Sequence, residues 1–324
     1  MTTDPQESAA RLRILFARMA LAAAALTFVV IVASAFMRHT QAGLGCVDWP
    51  ACYGRIEVSG GDALPPTTVR VARIAHRLAA TSVLALVIGL LLVAWTQKPA
   101  WKREGGLALA ALLVAAALAV LGVATPGSKI PAVTLGNLLG GYVMLALLAA
   151  TTASGQGCDD TALPATSEAN SSTLTGAVLV LVFIHAASGG MIGAQYALTA
   201  CPALGGCPAF SFGDLLGAGA LDPFRALSIV GGHVAPPRNV AGLHVIHRVL
   251  GIVVTAATFA LAYRMRRVDR RAALLLAALA AIAPLLGAAA IAGMPSLPMT
   301  VLHNAAAASL VAALAYLTAR KAME

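Results

Sequence analysis

Charge is what this chain has least of. Only 11% of its 324 residues are Asp, Glu, Lys or Arg, against 59% hydrophobic residues. No water-soluble domain can hide that much apolar surface, so the composition excludes a soluble globular protein and makes a bilayer the solvent. Acidic residues are scarcer than basic ones, 13 against 22, giving a net charge of +9. Such an excess can signal a nucleic-acid partner, but no RNA- or DNA-binding motif accompanies it, and the placement of the cations between apolar runs explains it as topology. Also missing is a small-residue cleavage site after the first apolar run, which therefore reads as a retained span and not as a removed signal peptide.

What is present is a set of long apolar runs. A transmembrane helix takes roughly 20 apolar residues, and eight runs qualify, at about 15–37, 77–97, 106–126, 133–152, 173–194, 241–263, 272–293 and 299–318. The cations fall between them in a regular way. Arg11, Arg13 and Arg18 flank the start of span 1, and Lys98, Lys102 and Arg103 join spans 2 and 3. Arg264, Arg266, Arg267, Arg270 and Arg271 join spans 6 and 7, and Arg320 and Lys321 follow span 8. With eight spans all these segments lie on one side, which the positive-inside rule makes cytoplasmic, so both termini are expected there. The 4–5 connection belongs to the same side although it carries Asp159, Asp160 and Glu168 and no Lys or Arg.

The chain repeats itself. Each half has a span, a long outer loop with a cysteine pair, and then a span that opens with His-Arg: Cys46 and Cys52 precede His76-Arg77, and Cys201 and Cys207 precede His247-Arg248. Four spans per copy is an even number, so both copies enter the membrane from the same side and equivalent positions lie at equal depth. The fold expected is an all-α integral membrane protein of eight transmembrane helices. They form two tandem four-helix bundles related by pseudo-two-fold symmetry, residues 1–152 and 173–324, joined by a cytoplasmic linker over 153–172.

The outer loops face an oxidising compartment, where a disulfide within each cysteine pair is chemically permitted and would act as a local clasp. A redox-active dithiol is the other reading; a metal site is disfavoured by the spacing and by the lack of partner ligands. Cys158 lies alone in the linker and is given no role.

Histidine inside hydrocarbon is expensive, so each intramembrane imidazole is a functional candidate. His247 and His303 head the second and fourth spans of the second half. In an antiparallel four-helix bundle those two helix starts share one end and face each other across the interior, the arrangement that axial ligation of a b-type haem iron needs. Two histidines solvated by headgroups are the plainer alternative. His76 is the first-half counterpart of His247, but the fourth span of that half offers Gly136 and Asn137 where a partner histidine would stand. That half therefore has one ligand with an open position, or a weak ligand in Asn137, or no haem. Arg77 and Arg248 suit haem propionates, since a guanidinium matches a carboxylate, or else snorkel to headgroups. His244 shares the helix face of His247 and reads as a supporting group or a further propionate partner. His185, inside span 5, reads as a helix–helix hydrogen-bonding residue; His39 and His233 are placed in outer loops without a role.

The run from Arg38 to Gly54 resembles the first outer-loop signature of haem A synthases, the cytochrome oxidase assembly enzymes. Gly193 to Cys201, His244 to Arg248 and Leu302-His303 extend the likeness over nearly the whole chain. The resemblance implies that the second half holds a haem b cofactor on His247 and His303. It also implies that the first half, with His76 as one ligand and catalytic position, oxidises the C8 methyl of haem O to the formyl of haem A. Cys46, Cys52, Cys201 and Cys207 match the family's loop cysteines. Two positions depart from the pattern: Gly136 replaces the second substrate-side histidine, and Arg73 replaces a glutamate three residues before His76, which reverses the local charge. Asp48, Glu57 and Asp62 are the acids left on that side.

The resemblance further implies a bacterial inner membrane, haem sites near the outer face, haem O synthase as supplier and cytochrome c oxidase assembly as the downstream process. Membrane lipid is expected as surroundings, a homo-oligomer is one option, and nucleic acid is not expected. The alternative function is a paralogue that kept haem b and serves electron transfer or oxidase assembly. A transporter built of parallel repeats is the weaker third class, since iron-ligand positions and loop cysteines have no task there.

Overall fold

The computed structural model describes residues 5–44, 46–55, 66–97, 101–125, 127–155, 168–201, 206–209, 211, 213, 219–238, 240–292 and 296–321. Eight long helices dominate: α1 Pro5–Gln41, α2 Thr67–Thr96, α3 Lys102–Ala124, α4 Pro131–Gly155, α5 Glu168–Ala194, α6 Ala241–Met265, α7 Arg270–Ile291 and α8 Leu297–Lys321. All eight are long and apolar enough to cross a bilayer, and the chain is a multi-pass membrane protein. Cys158, Asp159, Asp160, Glu57, Asp62 and Lys98 lie outside the described residues.

Helix α1 departs from the sequence expectation. It runs on to Gln41, so His39 belongs to its last turn and is buried, 5% exposed, not placed in a loop. No glycine or proline interrupts residues 6–42. The helix stops only at Gly43, whose φ of +84° fits a residue without Cβ. The Leu44 N–H donates to the His39 carbonyl at 2.9 Å and the Gly43 N–H to the Thr40 carbonyl at 3.0 Å, the paired bonds of a Schellman cap. Helix α5 ends the same way, with Tyr196 at φ 55° and the Ala197 N–H on the Ile192 carbonyl at 3.0 Å. A tyrosine in this left-handed region is strained, and the aromatic ring of Tyr53, 6.0 Å away between centroids, packs beside it.

Packing closes the helices into two rings. Helix α1 packs on α2 and α4, and α3 on α2 and α4; α5 packs on α6 and α8, and α7 on α6 and α8. The rings meet along α4 and α8, flanked by α1 on α8 and α4 on α5. One apolar core runs through both, with Phe16, Leu90, Leu145, Leu148, Leu276 and Leu314 fully buried in it. Small residues set the closest approaches, as membrane helices without a hydrophobic driving force require. A Cβ on Gly190 of α5 would stand 2.7 Å from Leu138 of α4, and one on Gly155 of α4 would stand 3.1 Å from the Ala17 backbone of α1. Hydroxyls within the spans are satisfied locally: Thr27, Thr151, Thr152 and Thr258 each donate to the carbonyl four residues back.

At the opposite end from the cysteine loops, Asp269 caps α7 by accepting the Ala272 N–H at 2.9 Å and pairs with Arg320 of α8 at 2.7 Å. Partial burial opposes the charged carboxyl, but these bonds outweigh it and hold its pKa below the usual value. A depressed carboxyl stabilises the fold at pH values above its unfolded pKa, and that contribution is lost as pH falls through the folded value. Asp269→Ala should cost about 1 kcal/mol at pH 7 in thermal unfolding, and the difference from the parent should shrink below pH about 4.

The connection between α5 and α6 carries β1 Ser228–Val230 and β2 His233–Ala235, an antiparallel hairpin. It reaches across onto the first ring. The Val234 N–H donates to the Gly54 carbonyl at 2.8 Å, His233 Nε2 meets the Ala51 carbonyl at 2.9 Å, and the Ala132 N–H at the start of α4 donates to the Pro223 carbonyl at 2.7 Å. The second half's long loop thus lies over the mouth of the first half.

Candidate haem site

The starts of α6 and α8 lie at the cysteine-loop end, and the second turn of each carries one histidine toward the other. The rings of His247 and His303 have centroids 6.3 Å apart and planes at 85°. A ring nitrogen bonded to a first-row metal at about 2 Å puts its ring centroid roughly 3 Å from that metal, so two axial imidazoles stand roughly 6 Å apart.

Hydrogen bonds decide which nitrogen of each ring is free. His303 Nδ1 lies 2.9 Å from the Ala283 carbonyl of α7, which can only accept, so Nδ1 carries the proton. His247 Nδ1 lies 2.9 Å from the Ser188 hydroxyl of α5. That hydroxyl donates to the His185 carbonyl at 2.7 Å, so its oxygen accepts the His247 proton. Both Nε2 atoms therefore keep their lone pairs, the state an iron ligand needs, and both rings are oriented through the nitrogen that would not bind metal.

Glycines make the space around these rings. A Cβ on Gly189 would fall 2.7 Å from His247 Cε1, and one on Gly287 would fall 3.0 Å from His303 Cε1. His185 stacks on His247 with centroids 4.2 Å apart and planes 8° from parallel, and its Nδ1 is buried without a hydrogen-bond partner. The contact of His185 to α6 is made by this ring stack and by the approach of its ring to the His247 backbone. The donor set, two neutral imidazoles from different helices with glycines letting each ring sit close against its neighbour, fits a haem. Among the described residues no group of three or more His, Cys, Asp or Glu side chains is placed to hold a metal ion, and a macrocycle with two axial imidazoles needs no such group.

The remaining sequence candidates fall as follows. His244 is buried, and its Nε2 meets the Ala197 carbonyl at 2.7 Å, tying the first turn of α6 to the segment that ends α5. His76 is half-buried on α2, with Arg73 and Arg77 exposed beside it. Gly136 on α4 is half-buried, and a Cβ added there would stand 3.2 Å from the Leu121 side chain of α3. Asn137 turns its amide back to the Val133 carbonyl at 2.9 Å. In the loops the structure pairs Cys46 with Cys52 and Cys201 with Cys207.

The match to known proteins runs over this whole arrangement. The family model described as "Cytochrome oxidase assembly protein" matches residues 17–64 and 68–315, which takes in all or most of every helix. The chain belongs to the cytochrome oxidase assembly protein family. A relative named "Heme A synthase", from Shewanella oneidensis, is 28% identical over 261 residues, covering 74% of this chain and 76% of that protein. Ser188, Gly189 and Gly287 had no signal in the sequence of this family member. Each acts on a histidine of another helix, and only the docking of α5 on α6 and α7 on α8 reveals it.

Proposed function

We propose that this protein is a haem A synthase-type oxidoreductase of the bacterial inner membrane that oxidises the C8 methyl of haem O to the formyl of haem A. His247 and His303 hold a resident haem b in the second ring of helices, and haem O enters the first ring at His76. The observation that carries the reading is the pair of rings 6.3 Å apart, each with its Nδ1 proton engaged. Haem b supplies one-electron chemistry when bound. The chain orients both ligands, excludes water with the apolar walls of the spans, and covers the substrate side with the loop that hydrogen-bonds to Gly54 and Ala132. The two rings of helices are a tandem repeat in this reading, with the cysteine pairs as disulfide clasps at their outer mouths.

One observation favours a second reading, a paralogue that keeps haem b for electron transfer or oxidase assembly. The place of the missing ligand at Gly136 is packed by Leu121, and the exposed Arg73 puts a cation where the family has a carboxylate. Haem extraction after co-expression with a haem O source separates the two. Haem A or its hydroxymethyl intermediate beside haem B is the expected result; haem B alone would give the chain to the second reading.

The Ser188 contact has its own test. Groups that orient a metal-bound histidine are typically worth about 10- to 100-fold in affinity. Ser188→Ala should therefore weaken haem b binding at least about tenfold in a titration of the apoprotein, whereas Ser309→Ala, whose hydroxyl bonds only to the Ala305 carbonyl of its own helix, should not.

A further inference from the structure

A half-buried cation stands at the junction of the two rings of helices. Arg38, in the last turn of α1, points its Nη2 at His39 Nε2, 3.3 Å away, and at the side-chain oxygen of Asn304 on α8, 3.4 Å away. Both contacts are long. The Nε of Arg38 is buried and has no hydrogen-bond partner. Tyr142 of α4 closes the other side, its hydroxyl donating to the Asn304 backbone carbonyl at 3.2 Å.

Among the described residues no carboxylate pairs with Arg38; the ion pairs found there join Arg11 to Glu7, Arg13 to Glu104 and Arg320 to Asp269. A guanidinium always carries its charge and five donors, and within a membrane protein it is costly unless an anion meets it. The neutral neighbours of Arg38 leave that need open. Its place is informative too. Asn304 follows His303 directly, so the guanidinium of the first ring stands beside the helix turn that presents an axial ligand in the second.

We infer that Arg38 binds a carboxylate of the macrocycle held by His247 and His303. The haem of the second half is thereby gripped by a residue of the first. This rests on the haem reading above and adds a ligand-binding residue to it. Arg248 differs in that it neighbours His247 on its own helix; Arg38 reaches in from the other ring, so haem b occupancy and the docking of the two rings support each other.

The test uses the full-length apoprotein, titrated by absorbance with haemin and with haemin dimethyl ester, which lacks the carboxylates. Hydrogen bonds to charged groups are worth enough to predict a loss of roughly tenfold or more when one partner goes. The parent should bind the ester at least about tenfold more weakly than haemin. Arg38→Gln should weaken haemin binding but leave ester binding nearly unchanged, so the preference for the free acid falls, and Arg38→Lys should keep part of it. Ser309→Ala, whose hydroxyl bonds to the Ala305 carbonyl of its own helix, should retain the parent preference.

Equal binding of acid and ester by the parent, or an undiminished preference in Arg38→Gln, overturns the proposal. Should Arg38→Gln not fold, the parent comparison and Arg38→Lys still decide: a lysine variant weakened equally toward acid and ester would count against it. Failure of the haem reading itself looks different, since the parent would bind neither compound or His303→Ala would bind both like the parent.

Discussion

His303→Ala and His247→Ala will each remove the six-coordinate, low-spin b-type spectrum, and the double variant will be no worse than either single one. Two axial bonds act as a unit, so the effects of removing them do not add. His185→Ala is the control that gives this result its meaning. His185 is an imidazole in the same cleft, stacked 4.2 Å from His247. If proximity alone made a ligand, its loss would matter equally. Only His247 and His303 have their Nδ1 protons engaged by Ser188 and Ala283, so His185→Ala should stay six-coordinate. Optical spectra of the dithionite-reduced proteins check all four. Unchanged bands in both single variants would refute the ligand assignment.

His76→Ala should abolish haem A formation in cells that make haem O while leaving the haem b content per protein unchanged. The two halves are separate rings of helices, and the only intramembrane imidazole described in the first ring besides the buried His39 is His76. Chromatography of extracted haems reads both quantities at once. A parallel loss of haem b would mean that His76 supports the fold or the second site, not the substrate. Restoring the family residues, Arg73→Glu with Gly136→His, should raise haem A output, and it needs Leu121 to yield because that side chain fills the space beside position 136. Adding Leu121→Ala should then increase the gain.

The sequence carried much of this and missed specific parts for a physical reason. Span number, the repeated His-Arg starts and the paired loop cysteines are local patterns, visible within one helix or loop. The end of α1 was also written locally, in the absence of glycine or proline before Gly43, yet hydropathy ended the span at the polar Arg38 and His39. Those two residues are polar, yet His39 is buried and Arg38 half-buried, because α4, α5 and α8 pack around them at the junction. What lay beyond reach was contact between distant segments. Arg38 and Asn304 are 266 positions apart, and His233 and Ala51 are 182 apart. Helical periodicity says which residues share a face, not which helix that face meets. The crossing of the second half's loop onto the first half is invisible for the same reason, since each cysteine pair reads only as a local clasp within its own loop.

The most direct test of the central claim is low-temperature electron paramagnetic resonance of the oxidised protein carrying haem b alone. Two neutral imidazoles with planes near 85° apart leave the iron orbitals they perturb nearly equal in energy. The account predicts a highly anisotropic low-spin ferric signal dominated by a single low-field feature, lost in His247→Ala and in His303→Ala. A high-spin axial signal in the parent protein, or a low-spin signal that survives both substitutions, would contradict it.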